Sequence, residues 1–193
     1  MELRIEPATP ETWPAVATVM ETPGDPEVCW CQVFRVPRER WEDRPVTQNR
    51  ADLEALVTGS RVPGLVAYDD DEPVGWCSVG PLEGFTRIVA SPYFADARPE
   101  GDDLTGRWAV TCFVVREQAR GTGLLGRLLR AAVEHARESG ARALEAYPLD
   151  PAKAEQIGPD ELYAGVVRHY EDQGFTRQGE LGPRALMVLP LSS

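Results

Sequence analysis

One continuous stretch constrains this chain more than any other. Val110-Thr-Cys-Phe-Val-Val115 is followed by the polar run Arg116–Arg120, then by Gly121-Thr-Gly-Leu-Leu-Gly126, and then by Arg127-Leu-Leu-Arg-Ala-Ala-Val133. The pattern reads as a buried strand, a short loop, a glycine-rich turn and an amphipathic helix. A helix start reached through glycines stacks backbone N–H groups that have no intrahelical partner, and such a place binds phosphate or pyrophosphate. The first question is therefore which phosphate-bearing molecule the unit serves.

The rest of the chain supplies the surroundings. Leu3–Glu6 is an expected first strand, and Thr9-Pro10-Glu11 carries a cap residue with proline at the first helical position, the opening of a helix that runs to Met20. Pro45–Gly59 reads as a helix with Leu53, Leu56 and Val57 on one face. Gly64–Tyr68 and Val74–Val79 flank the acidic turn Asp69–Pro73 and predict a hairpin. Pro81–Asp103 reads as a loop region with a short helix at Phe85–Val89. Trp108–Val115 is apolar on both faces, as in a central strand covered by helices. The helix Gly123–Ser139 has a stripe of Leu125, Leu128, Leu129, Ala132 and Ala136, and Gly140 ends it. Ala143–Tyr147 is the next strand, and a right-handed crossover places it parallel to Val110–Val115. A loop over Pro148–Pro159, a helix over Glu161–Gln173 and two strands, Phe175–Glu180 and Ala185–Leu189, complete the reading. The expected fold is α/β (α+β): one domain over residues 1–193, with a mixed, mostly antiparallel central sheet flanked by helices.

Charge and composition narrow the partners. The net charge of −11 disfavours nucleic acid, whose binding rests on neutralising phosphates, and it suits a cationic or amine-bearing partner. No apolar run is long enough to span a membrane, and the start Met1–Ile5 has no signal-peptide pattern, so a cytoplasmic location is expected. Cys77 and Cys112 lie within apolar runs and read as buried thiols. Cys29-Trp-Cys31 is less usual, but a metal site would need all four cysteines to converge, so none is assigned.

Two cofactors compete for the glycines. Gly121-x-Gly123-x-x-Gly126 matches the dinucleotide fingerprint, and Glu145 falls near the place of a ribose-binding acid. The surroundings are wrong for a nicotinamide enzyme. Five polar residues separate the strand from the first glycine, and too little chain follows for the further strand–helix units of that fold.

The other alignment begins at Arg120. Arg120-Gly-Thr-Gly123-Leu-Leu125 resembles the Arg/Gln-x-x-Gly-x-Gly/Ala signature of the GNAT acetyltransferase superfamily, and His169-Tyr-Glu-Asp-Gln-Gly-Phe175 resembles its later Tyr-x-x-x-Gly-Phe element. The match covers about residues 60–190, with residues 1–60 left to help build an acceptor site. Leu125 departs from the pattern, standing where the family usually has Gly or Ala. The resemblance implies acetyl-CoA as cosubstrate, with its diphosphate on the backbone of Arg120, Gly121, Thr122, Gly123, Leu124, Leu125 and Gly126. It further implies that two central parallel strands splay apart and that the pantetheine arm pairs with Phe113, Val114 and Val115, opposite Glu145–Tyr147. The implied reaction is N-acetylation of an amine on a small molecule or protein.

Tyr170 sits at the family's tyrosine and is expected to protonate the leaving thiolate. Glu145, a carboxylate within a buried strand, is the candidate base, with pairing to an arginine such as Arg142 or Arg168 as the structural alternative; Glu83 and Asp150 are weaker candidates. Trp76 and Tyr147 are expected to line the acceptor pocket, which the family builds from Cys29–Trp41, Pro81–Asp103 and Pro148–Pro159. A non-catalytic CoA-binding sensor or interaction protein stays open as a second reading and an NAD-dependent oxidoreductase as a third. Homodimerisation is common in the superfamily and is left open.

Overall fold

A computed structural model describes residues 2–153 and 163–191. Seven strands form one sheet: β1 (Leu3–Pro7), β2 (Gly64–Asp69), β3 (Glu72–Pro81), β4 (Arg107–Val115), β5 (Ala143–Ala146), β6 (Thr176–Leu181) and β7 (Arg184–Pro190). Their order is β1-β2-β3-β4-β5-β7-β6, and only β4 and β5 run parallel. The helices are α1 (Trp13–Met20), α2 (Asp25–Cys29), α3 (Val46–Val57), α4 (Thr86–Ala90), α5 (Pro92–Ala95), α6 (Leu124–Glu138) and α7 (Val167–Glu171).

The apolar periodicities explain the layers. On one face, Leu124, Leu128, Leu129, Ala132, Val133 and Ala136 of α6 pack on Cys77, Val110, Phe113 and Leu144, joined by Val167 and Tyr170 of α7. The stripe starts at Leu124 rather than at the expected Leu125, which is only partly buried. The reason is that Gly123 is already the cap and the helix proper begins one residue later. On the other face, α1 and α3 cover Val66, Trp76 and Val114, while Phe85 and Ile88 beside α4 cover Ala109, Tyr147 and Val188. This second face thus carries two separate clusters.

Two local features shape the middle of the sheet. The β3–β4 register shifts between Ser78 and Val79, so that Ser78 faces Cys112, Val79 faces Val110 and Thr111 is the extra residue of a bulge. The extra residue resets the alternation: Ala109 and then Cys112 and Val114 share one face, Val110 and Phe113 the other. The second feature is the end of the parallel pairing. β4 and β5 pair from Arg107/Ala143 to Val110/Ala146 and no further. Beyond Ala146 the chain turns to other partners. Leu149 bridges Val166 and Arg184, the Leu149 amide donates to the Gly165 carbonyl at 2.9 Å, and the Val167 amide donates to the Leu149 carbonyl at 3.0 Å. A wedge-shaped gap therefore opens between Thr111–Val115 and the Leu149/Val166 bridge.

α7 is shorter than the expected helix over Glu161–Gln173. Gly165 has φ +71 and Val166 is extended in its bridge to Leu149, so helical structure cannot pass through them. The beginning of that expected helix, and the later part of the expected loop Pro148–Pro159, lie outside the described residues.

Candidate active site

The loop between β4 and α6 is built to leave its amides free. Gly121 and Gly123 adopt φ +73 and +79, a region in which a side chain is strained, and a Cβ on either would meet nothing within 4 Å. Gly123 caps α6 with no side chain to satisfy the first turn. The amides of residues 121–126 donate to no acceptor among the described residues, while the Thr122 hydroxyl donates to the Ala119 carbonyl at 2.7 Å and holds the loop's shape. Arg120 is exposed, and its Nε donates to the Val115 carbonyl at 3.3 Å, tying the loop to the end of β4. The result is an open cradle of N–H groups at the positive end of a fifteen-residue helix. Leu125 is no obstruction, since its side chain packs toward the core beside α6. Phe113 points into that same core, Val114 faces the other side, and Val115 is half-buried, so the backbone of all three runs along the open edge of β4.

The gap leads to a cavity of about 370 Å³. It lies where the two clusters on the far face of the sheet part. Its floor is Thr111, Cys112 and Val114 of β4, and its opposite wall comes from the segment after α1. Asp25, exposed at the mouth, is the one carboxylate among its described lining residues. The segment Cys29–Trp41 thus contributes as expected from sequence, but Pro81–Asp103 does not. Trp76 and Tyr147, expected on the pocket wall, are fully buried and lie outside the lining. Register explains it: Trp76 packs beneath α1 and α3, and Tyr147 is caught in a ring cluster with Phe94 (centroids 5.0 Å apart) and Phe34 (6.3 Å).

Tyr170 packs in the core on the α6 side and reaches the cavity only through a lining residue. It is fully buried, and its hydroxyl donates to the carbonyl of Ala164, a lining residue, at 2.8 Å. Burial holds its proton affinity well above that of an ordinary phenol, so the hydroxyl keeps its proton at neutral pH.

Glu145 is placed differently from the role of a base. It lies within the paired part of β5, across from Ala109, and not beside the gap. Its side chain is fully enclosed. Arg98 donates to Oε1 at 2.6 Å, Arg107 reaches Oε2 at 3.3 Å, and the Tyr147 hydroxyl donates to Oε1 as well. Two guanidinium groups stabilise the carboxylate's charge, an environment that favours the structural alternative, pairing with arginine, over the role of a base. The pairing with arginine is the one expected in kind, with Arg98 and Arg107 in place of the examples Arg142 and Arg168; Arg98 reaches in from the segment after α5, a contact no sequence spacing announces. The weaker candidates are occupied too: Glu83 pairs with Arg61 at 2.6 Å and Asp150 with Arg177 at 2.7 Å. Sequence reading missed Asp25 and Thr111. Asp25 carried no signal beyond its place before a proline, and a bulge leaves no mark in composition.

All four cysteines are free thiols, and among the described residues no group of His, Cys, Asp and Glu side chains is arranged to hold a metal ion. No helix among them is long and apolar enough to cross a membrane.

Comparison with known proteins decides the family. The sequence model described as the acetyltransferase (GNAT) family matches residues 29–155, more than half of the chain. The chain belongs to the GNAT acetyltransferase family. No curated protein matches it in a sequence search. Several solved structures share the GNAT fold at low identity. An N-acetyltransferase from Staphylococcus aureus Mu50 superposes with a TM-score of 0.58 at 15% identity, over 100% of both chains. Ribosomal-protein-alanine N-acetyltransferase from Brucella melitensis gives 0.55 at 20%, over 97% of this chain and 99% of its own. The protein yncA from Salmonella typhimurium, solved with its cofactor acetyl-CoA, gives 0.55 at 17%, over 99% and 95%. In this GNAT chain the family match spans the bulged β4, the 120–126 loop and α6, the elements that build the cradle and the gap.

Proposed function

We propose that this protein transfers an acetyl group from acetyl-CoA to the amine of a small molecule or protein. The observation that carries the reading is the row of amides at 121–126 with no acceptor among the described residues, set at the end of a gap that opens onto a cavity. A nicotinamide dinucleotide fits less well, because the parallel pair needed to bind it across a doubly wound sheet is here a single pair within an antiparallel sheet.

Bound acetyl-CoA supplies an activated acyl group and a thiolate leaving group. The amides of Gly121 to Gly126 and the Arg120 guanidinium hold the diphosphate. The free edge of β4 at Phe113–Val115 receives the pantetheine arm, and the bulge at Thr111 faces the reacting end. Tyr170 keeps its proton until the thiolate departs, and then donates it, turning from the Ala164 carbonyl. Asp25 meets the ammonium of the acceptor at the cavity mouth. Glu145 holds Arg98 and Arg107 rather than touching the reactants. Residues 1–60 supply the acceptor wall, and the later part of the chain supplies the coenzyme site.

Thermal-shift titration with acetyl-CoA, CoA and NAD, followed by mass spectrometry of products from an amine panel, tests this. Stabilisation by the CoA compounds together with a 42 Da gain on an amine is the expected result. Stabilisation by NAD alone would overturn the coenzyme assignment. Binding of acetyl-CoA with no acetylated product from metabolite and lysate pools would favour the non-catalytic reading.

A further inference from the structure

The Cys29-Trp-Cys31 sequence has no part in the acyl transfer just described, yet Cys29, Cys31 and Cys112 all line the one cavity. These thiols are not equivalent. Several groups converge on Cys31. The Trp76 indole N–H donates to its Sγ at 3.1 Å, a short approach for sulfur. Cys112 lines the same cavity from the bulged part of β4, and it and the positive charge of Arg35 both favour the deprotonated sulfur. Arg35 has no carboxylate within ion-pair distance among the described residues. Its guanidinium stacks on Phe85 at 4.2 Å and reaches only the Gly84 and Pro63 carbonyls, at 3.4 and 3.3 Å, and its Nε is enclosed without a partner. A thiolate at Cys31 would give this cation a nearby counter-charge. The backbone supports the placement, since Trp30 and Cys31 both hold left-handed φ, +44 and +55, which costs energy in residues other than glycine.

The remaining thiols are disfavoured as nucleophiles. Burial pushes Cys29 up to about 12, and the neighbouring Cys31 together with burial pushes Cys112 well up. Cys77 is raised by burial and faces the α6 side of the sheet, away from the cavity. Only at Cys31 do the neighbouring Cys112, the Trp76 hydrogen bond and Arg35 outweigh burial and pull the thiol down.

We propose that Cys31 is a peroxide-reactive site in the cavity and that Cys112 resolves it as a disulfide. The cavity admits a molecule the size of hydrogen peroxide. The Cys31 sulfur attacks one peroxide oxygen, the O–O bond breaks, hydroxide leaves, and Cys31 becomes a sulfenic acid. The Cys112 sulfur then attacks the Cys31 sulfur, the S–O bond breaks, and water leaves with the Cys112 proton. Two thiols lose two electrons and the peroxide gains them. The product pins the Trp30–Cys31 turn onto β4 beside Thr111 and narrows the cavity from within, and dithiothreitol reverses it. This modification stands independently of the acyl-transfer reading.

The test uses the reduced full-length protein and limiting hydrogen peroxide, followed by alkylation, digestion and mass spectrometry. The expected product is one crosslink between the peptides carrying Cys31 and Cys112, lost on reduction with dithiothreitol. In Cys112→Ser, dimedone should label Cys31 instead. In the wild-type protein, iodoacetamide should reach Cys31 at least about tenfold faster than any other cysteine, a measurement that needs no variant to fold. A Cys29–Cys31 crosslink, dimedone labelling spread over all cysteines, or alkylation of Cys31 no faster than that of Cys29 would each overturn the proposal.

Discussion

Two buried side chains, Tyr170 and Glu145, look alike by exposure and differ in what surrounds them. Tyr170 has one neutral partner, the carbonyl of Ala164, itself a lining residue of the cavity. Tyr170→Phe should lower kcat by about a hundredfold or more, with the KM for acetyl-CoA little changed; steady-state thiol release measures it. Glu145 sits between Arg98 and Arg107, whose side chains are 6% and 9% exposed. Glu145→Gln leaves Arg98 enclosed without its counter-charge, while Arg107 keeps Asp102 at 2.7 Å, so a stability loss of about 3 kcal/mol in urea unfolding is expected. A base would behave otherwise, with turnover falling steeply while stability held. From the sequence, a carboxylate in the middle of a buried strand was visible as a residue needing an explanation. The explanation was not visible, because it comes from Arg98, which lies 47 positions away in sequence.

At the scale of elements, β4, the 120–126 loop and α6 were legible, since their periodicities and glycines are local. The helix over Glu161–Gln173 was not, because Val166 gives up helical geometry for a bridge to Leu149, a contact set by the sheet and not by propensity. The bulge at Thr111 was equally silent, since it exists only through the register with β3. α6 makes a prediction of its own. His135 lies against Trp108 with centroids 5.6 Å apart, and its Nε2 is enclosed without a partner. Burial lowers its pKa from 6.5, so the unfolded chain binds this proton more readily than the fold does. Its contribution is therefore intact above about pH 6.5 and is lost as the pH falls from there toward the lower folded value. His135→Gln should flatten the decline in stability between about pH 7 and 5, read from urea midpoints across that range.

For the whole molecule, the proposed coenzyme site and the proposed acceptor wall come from different parts of the chain joined by one sheet. Acetyl-CoA should therefore slow hydrogen exchange in two separated stretches at once, the amides at 121–126 and the open edge at Thr111–Val115. At a hundred times its Kd the ligand should add about 2.7 kcal/mol to global stability. Mass-spectrometric exchange with and without ligand checks both stretches in one experiment. Protection of only one would mean that the gap in the sheet does not hold the arm. The −11 charge reads from composition as suiting a cationic partner, and among the described lining residues of the cavity Asp25, at its mouth, is the one carboxylate that could meet such a partner.

The extra residue in β4 carries a consequence for how this chain tolerates change. With Thr111 in place, Val110 and Cys112 stand two positions apart in sequence yet face opposite sides of the sheet. Without Thr111 the two would be direct neighbours in strict in-and-out order, so Phe113 would stay under α6 and Cys112 and Val114 would stay on the opposite face. What would go is the bend that a bulge puts into its strand, at the place where β4 parts from β5. The loss of one codon there would thus spare the core and straighten the strand where it borders the cavity.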